Sequence, residues 1–301
     1  MSFLDLETQI NGLDFENPVM LAAGILGTTG SSLKNVSNHG AGGLVTKTIT
    51  KPPKKGHNGP VLLEANSSYL NAMGLPNPGA SEFIEELKDL KDIKKPIIAS
   101  VSGEKIEELK EVVSLLNDYV DGFEVNLSCP NVEGGIICKE SSLVESYIIG
   151  ARKETNKPIW AKLSPDIEEI DKKAKVAEKS GANAIVAINT VEGMEIDIKS
   201  GRPILSNKKG GISGEAINPI ALKCVYDIYK AVEIPVIGVG GVYNWENAIK
   251  LIMAGSSAIQ IGSGISKGLN IFEEVKKGII EFLKKEGFNS IDEIKGISHR
   301  Y

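Results

Sequence analysis

Residues 158–190 read PIWAKLSPDIEEIDKKAKVAEKSGANAIVAINT. Two short apolar runs, PIWAKLS (158–164) and ANAIVAINT (182–190), flank a segment in which Ile167, Ile170, Ala174 and Ala177 share one helical face. Near-continuous apolar strands joined by an amphipathic helix are the pattern of parallel strands covered on both faces. The same rhythm extends both ways. Upstream lie NPVMLAAG (17–24), GGLVTKT (42–48), PIIASVSG (96–103) and GFEVNLS (122–128); downstream lie IPVIGVGG (234–241) and SAIQIGSG (257–264), which makes eight runs. Ile106, Leu109, Val113 and Leu116 form one helical stripe between runs. Ala221, Cys224, Val225 and Ile228 form another, with Asn218 expected as N-cap and Pro219 in the first turn. Asn244 and Gly255 bracket a further helix, and Phe272, Val275, Ile279 and Phe282 mark a last long one.

Eight such units predict an α/β fold, a (β/α)8 TIM barrel, with residues 1–301 as a single domain. The opening LETQINGLDFEN predicts an N-terminal β-hairpin turning at Asn11-Gly12. The longer segments after strands two, four and six predict inserted loops at the C-terminal face. An open doubly wound sheet is the alternative. It is weaker because the first strand ends in AAGILG, without the glycine spacing of a dinucleotide fold.

Composition narrows the function. A net charge of −5 argues against a nucleic-acid surface, which carries a basic stripe. The start, MSFLDLETQI, lacks the basic-then-apolar pattern of a signal peptide. No apolar run approaches the ~18–20 residues of a membrane span. Three cysteines, 129, 138 and 224, are too few and oddly numbered for a disulfide framework, so a reducing, cytoplasmic setting is expected. The three histidines are scattered, and none has zinc-ligand spacing, so no metal site is expected.

In a barrel of this kind the chemistry sits where the strands end. Those ends carry Ala23-Gly24, Lys47-Thr48, Ser100, Asn126 with Ser128-Cys129, Lys162, Asn189-Thr190, Gly240-Gly241 and Gly262-Ser263. GVGGV (238–242) and GSG (262–264) close strands seven and eight, the usual phosphate position of the fold. Either alone reads as a tight turn; the pair favours an anion. GGISGEA (210–216) is either a further source of N–H groups or a flexible loop. A lysine at an inward strand end is costly to desolvate unless it meets an anion. Lys47 and Lys162 are therefore ligand-facing candidates, as Schiff-base amines or as fixed positive charges; snorkelling to the rim is the bland alternative. Asn126 and Asn189, with Asn71 in the loop SSYLNAMGLPNPG (67–79), offer paired donors and acceptors suited to a pyrimidine dione or flavin edge. Singly, each asparagine also fits a turn or cap.

Cys129 interrupts NLSCPN (126–131) just where an apolar run stops. A metal role lacks partners. A nucleophile role wants a positioned histidine, and none falls at a strand end. A base that takes a proton from carbon needs neither. Cys138, in the lid-like segment 131–142, is read as a bystander, and Cys224 as core.

The set VNLSCPN, SYLNAMGLPNPG, INTVEGM, KGGISGEA, IGVGGV and IGSG closely resembles the class 1 dihydroorotate dehydrogenases, over essentially the whole chain and in order. The resemblance implies FMN over the barrel mouth, held by Ala23, Gly24, Lys47, Thr48, Ser100, Asn126, Lys162, Ile188, Gly214, Gly240, Gly241, Gly262 and Ser263. Dihydroorotate would stack on the ring and be bound by Lys47, Asn71, Met73, Gly74, Leu75, Asn126, Asn131, Asn189 and Thr190. Cys129 would take the C5 proton while hydride passes from C6 to flavin N5, giving orotate for UMP synthesis. Class 2 relatives, which are membrane-bound, use serine there. Ser100 departs from the asparagine of many relatives, and its shorter hydroxyl would act through water.

INTVEGM and MEIDIKSGRPILSNKKGG resemble type 1B, whose catalytic chain forms a homodimer core. There it joins an electron-transfer subunit, carrying FAD and an iron–sulfur cluster, in a heterotetramer that reduces NAD. This chain has no cysteine set for a cluster and no dinucleotide fingerprint, so the partner would supply both. Three rivals stand beside this reading: a flavin reductase of uracil or tRNA dihydrouridine, a Schiff-base lyase using Lys47 or Lys162, and a non-catalytic phosphate-binding barrel.

Cys129→Ala is expected to bind FMN normally and to lose turnover by ~10²–10⁴-fold. Cys129→Ser should keep some activity, mainly at high pH. Steady-state rates with dihydroorotate check both, and normal turnover in Cys129→Ala would refute the base assignment.

Overall fold

The computed structural model describes residues 6–65, 67–128, 137, 140–165 and 169–301. Cys129, Asn131, Cys138 and Ile167 lie outside the described residues. The chain opens with the hairpin of β1 (Thr8–Ile10) and β2 (Leu13–Phe15), paired Ile10 to Leu13. Asn11 (φ 54°) and Gly12 (φ 81°) take the two left-handed positions that a two-residue turn of this twist requires. Next come β3 (Val19–Leu21), α1 (Gly30–Asn38) and β4 (Gly43–Val45), then β5 (Leu62–Ala65), β6 (Ser68–Asn71) and α2 (Ala80–Lys88). Three regular units follow: β7 (Ile97–Val101) with α3 (Ile106–Leu116), β8 (Gly122–Asn126) with α4 (Ser141–Arg152), and β9 (Ile159–Leu163) with α5 (Ile170–Lys179). After β10 (Ala184–Ala187) stand β11 (Val191–Gly193), β12 (Ile196–Asp197), β13 (Arg202–Pro203) and β14 (Gly210–Gly214), then α6 (Asn218–Ala231). The end is β15 (Val236–Val239), α7 (Trp245–Ala254), β16 (Ser256–Ile261) and α8 (Ile271–Glu286).

The strands β3, β4, β7, β8, β9, β10, β15 and β16 pair in chain order and close into a parallel barrel. Seven lie within their apolar runs and β16 begins one residue before its run, at Ser256, so the expected TIM-barrel architecture is what forms. Closure sorts the side chains by parity. Val19, Leu44, Phe123, Ile159 and Ile185 pack outward against the helices, while Met20, Val45, Ile98, Trp160, Val186 and Ile237 fill the barrel. Ile10 and Phe15 of the hairpin join this inner cluster. The hairpin is therefore the floor of the barrel, and Phe15 and Trp160 rings lie 6.3 Å apart.

The segments after β4 and β10 do not stay loops. They pair as the antiparallel sheet β11-β14-β6-β5, with Asn71 opposite Gly211. GGISG, read as loop or N–H source, is the strand β14 in the middle of that sheet. Asn244 caps α7 as expected, its side chain accepting from Asn247 N. Asn218 does not cap α6. It is already helical (φ −56°, ψ −44°) because a 3-10 turn, Glu215–Ile217, runs straight into the helix. Its side chain is thereby freed, and Nδ2 donates to Gly240 O at 3.0 Å.

Asn11 ties the floor to the wall. Nδ2 donates to Asn183 O (2.9 Å) and Oδ1 accepts from Trp160 Nε1 (3.1 Å). Asn11→Ala removes both bonds and strands the indole N–H beneath the barrel. A loss of about 1–3 kcal/mol is expected, measured by urea unfolding, with indole fluorescence reporting the floor.

Candidate active site

A cavity of about 1050 Å³ opens at the C-terminal ends of the barrel strands. That volume stands at the upper end of the ~300–1,000 Å³ of ligand pockets, so it can hold a cofactor and a substrate together. Ala23 and Gly24 line it beyond β3, Lys47 and Thr48 beyond β4, and Asn126 and Lys162 at β8 and β9. Ile188, Asn189 and Thr190 come from the end of β10, and Asn71, Met73, Gly74 and Leu75 from β6 and the segment after it. Gly240, Gly241, Gly262 and Ser263 complete the wall beyond β15 and β16. All of these were expected at the mouth. The Ala187–Ile188 peptide is cis.

Two expected residues do not line the cavity. Ser100 is fully buried one layer lower, its Oγ 2.9 Å from Thr48 Oγ1, so it reaches the mouth only through Thr48. Gly214 pairs with Ser68, and a Cβ there would lie 2.7 Å from Ser68 Cα. Its neighbour Ser213 faces the cavity instead, as the period-two alternation of β14 demands. Cys129 and Asn131 lie outside the described residues.

The glycine turns suit an anion. Gly240 (φ 133°) and Gly241 (φ 70°) have backbones that only glycine adopts freely. A Cβ on Gly241 would sit 2.6 Å from Asn218 Cβ, so the turn packs directly on the start of α6. Beyond β16, Ser263, Gly264, Ile265 and Ser266 line the cavity consecutively within the 3-10 turn Ser263–Lys267. Unpaired N–H groups at such turns are natural phosphate ligands.

The lysines differ. Lys47 is buried; its ammonium donates to Gly24 O and makes no ion pair among the described residues. Burial holds its pKa below the ordinary lysine value. A buried cation whose partner is a neutral carbonyl fits a site for an anionic group. Lys162 instead faces Glu124, Nζ to Oε1 at 3.2 Å, and Glu124 Oε2 accepts from Gln260 Nε2 at 2.8 Å. Glu124 and Gln260 escaped the sequence reading. Their only signal was a polar residue at an inward position of GFEVN and SAIQIG.

The amides at the rim are mutually braced. Asn189 Nδ2 donates to Ser128 Oγ (2.8 Å) and Asn126 Oδ1 (3.3 Å), and Asn126 Nδ2 donates to Thr48 Oγ1 (3.3 Å). Ser164 Oγ donates to Ser128 Oγ at 2.7 Å. Ser128 and Ser164 were not among the expected site residues. They anchor the chain at the residue before Cys129. On the opposite rim, Asn71 Nδ2 donates to Gly211 O at 3.2 Å.

Comparison with known proteins identifies the family. The profile of the family described as dihydroorotate dehydrogenase matches residues 5–283. The chain belongs to the dihydroorotate dehydrogenase family. The "Dihydroorotate dehydrogenase B (NAD(+)), catalytic subunit" of Methanosarcina mazei is 48% identical over 295 residues, covering 96% of this chain and 94% of that protein. The proteins of the same name from Methanosarcina acetivorans and Methanocella arvoryzae are 47% and 45% identical, covering 96% of this chain and 95% and 96% of theirs. Within the family, the chain is of the class 1B kind, as INTVEGM and the segment after it led one to expect. Among the described residues, no helix is long and apolar enough to cross a membrane.

Proposed function

We propose that this chain is the FMN-bearing catalytic subunit that oxidises (S)-dihydroorotate to orotate in de novo UMP synthesis, in the cytoplasm. Electrons then pass to NAD through a partner subunit. The observation that carries the reading is the single cavity wall on which the glycine turns of strands seven and eight, buried Lys47 and Lys162, and the Asn126–Asn189 amides meet.

The residues fit FMN. Gly240, Gly241, Gly262 and Ser263 would hold its phosphate, and Thr48, Asn126 and Lys162 the ring edge. When bound, FMN supplies N5 as acceptor of the hydride from C6 of dihydroorotate. Lys47 would pair with the substrate carboxylate, while Asn71, Asn126, Asn189 and Thr190 would read its amide edges. Asn189 is already hydrogen-bonded to Ser128 and Asn126, so little side-chain entropy is lost when it binds. Cys129 would take the C5 proton, and the Asn189 and Ser164 bonds to Ser128 fix where the chain enters it. Asn131 would also bind the substrate. The relatives' designation as catalytic subunits supports a partner. By resemblance that partner carries FAD and an iron–sulfur cluster and joins a homodimer of this chain.

The decisive experiment is an anaerobic absorption spectrum of the purified chain before and after dihydroorotate. Bleaching of flavin bands is expected. Persistent bands would keep the cofactor and discard the substrate, and no flavin even after FMN is supplied would discard the oxidoreductase. Native co-purification tests the partner; a homodimer with full turnover on fumarate and no NAD coupling would sink it.

Lys47 makes a pH prediction. Its charge is present below its lowered pKa and lost as pH rises through it. Orotate affinity, read from the flavin spectrum, should be flat below that pKa and fall above it, at a pH under the ordinary lysine range. Affinity that stays flat into that range would assign the carboxylate to other groups.

A further inference from the structure

Inside the barrel, one layer below the rim, Glu124 and Gln260 are polar residues without a role in the proposed chemistry, and Glu124 pairs with Lys162, which has one. Glu124 has a fully buried side chain, and that of Lys162 is 6% exposed. Gln260 is fully buried and donates to Glu124 Oε2 at 2.8 Å. Among the described residues, Glu124 Oε1 and Gln260 Oε1 accept no hydrogen bond. The Lys162 Nζ–Glu124 Oε1 contact at 3.2 Å is thus an ion pair without an aligned hydrogen bond. The ammonium is near its counter-charge while its N–H groups stay available to the cavity that Lys162 also lines.

An isolated buried carboxylate would neutralise rather than stay charged, and so would an isolated buried amine. Each is tolerated here because of the other, and removing one strands its partner. The neighbouring strands add one further charge to this layer. Lys47 stands at the end of β4. The other inward residues are Met20 of β3, Val45 of β4, Ile98 and Ser100 of β7, Trp160 of β9, Ala184 and Val186 of β10, Ile237 and Val239 of β15, and Ala258 of β16, none of them charged. Glu124 is therefore the one acidic group among the described residues of the barrel interior.

Resting on the FMN reading above, we propose that Glu124, held in place by Gln260, is a positioning residue that keeps Lys162 protonated beneath the oxidised flavin, so that two-electron reduction takes up one proton and not two. The balance is simple. Two-electron reduction of bound FMN with one proton added at N5 would leave a negative charge on the ring's N1–C2 edge. A lysine already charged meets it directly. A neutral lysine would draw a second proton from solvent, and each turnover would carry that extra proton transfer.

The test is the flavin midpoint potential against pH, measured by dye-coupled titration of the FMN-loaded full chain. The wild type should show the slope of one proton per two electrons. Glu124→Gln should double that slope, and Glu124→Asp, which keeps the charge, should restore it. A merely structural Glu124 would change FMN retention or melting temperature and leave the proton count alone. Glu124→Gln with the wild-type slope overturns the inference, as does Glu124→Asp doubling alongside it. Should Glu124→Gln not fold, ¹⁵N NMR of Lys162 Nζ in the oxidised wild type decides: an ammonium signal at the pH of the potential measurements supports the inference, and a neutral amine there overturns it. A wild type that binds no FMN fails the flavin reading itself, which separates the two failures.

Discussion

Everything in this structure depends on the closure of eight parallel strands. Closure pairs the strand backbones and leaves no free sheet edge, so each strand must send alternate side chains into a space with no solvent. At the bottom that space is filled by Trp160, Met20, Ile98 and the hairpin residues Ile10 and Phe15. Higher up the same inward positions carry Ser100, Glu124, Lys162 and Gln260, and at the rim Asn126. The barrel thus grades from apolar floor to polar mouth along its own axis. Because the hairpin covers the floor, the cavity opens from the top.

That gradient explains why the polar layer is paired within itself. A lone charge there would face a desolvation cost of several kcal/mol. Glu124 and Lys162 meet this constraint as a pair, while Lys47, nearer the cavity, leans on a backbone carbonyl. The rim follows the same logic with neutral groups. Asn126, Asn189, Ser128, Ser164 and Thr48 satisfy one another, which fixes their geometry before any ligand arrives. The inserted sheet adds the opposite wall, because Asn71 of β6 and Gly211 of β14 are register partners although 140 residues apart.

Much of this was legible in the chain. The eight apolar runs hold the eight barrel strands but for Ser256 of β16, the Asn11-Gly12 turn is where the hairpin bends, and the described polar strand ends other than Ser100 share one cavity. These features are local: a run of apolar residues, a turn dipeptide and a strand terminus each carry their own signal. Ser100 does not line the cavity, because a strand end in sequence does not say which layer of the barrel it occupies. Gly214 does not line the cavity and Ser213 does, because the parity of β14 is set by its pairing with β6. Asn218 resembled a cap, and the 3-10 turn before it moved the helix start and turned its amide toward Gly240.

By itself, then, the sequence determined the fold class, the number of barrel strands and the residue types that gather at the mouth, since periodicity and strand termini follow from nearest neighbours. Only the tertiary structure decided which charge meets which. Lys47 and Lys162 look alike as strand-end lysines, yet one is left facing the cavity beside a carbonyl and the other is matched by Glu124. That difference is set by strand stagger across the closed barrel, a long-range property that no local pattern encodes.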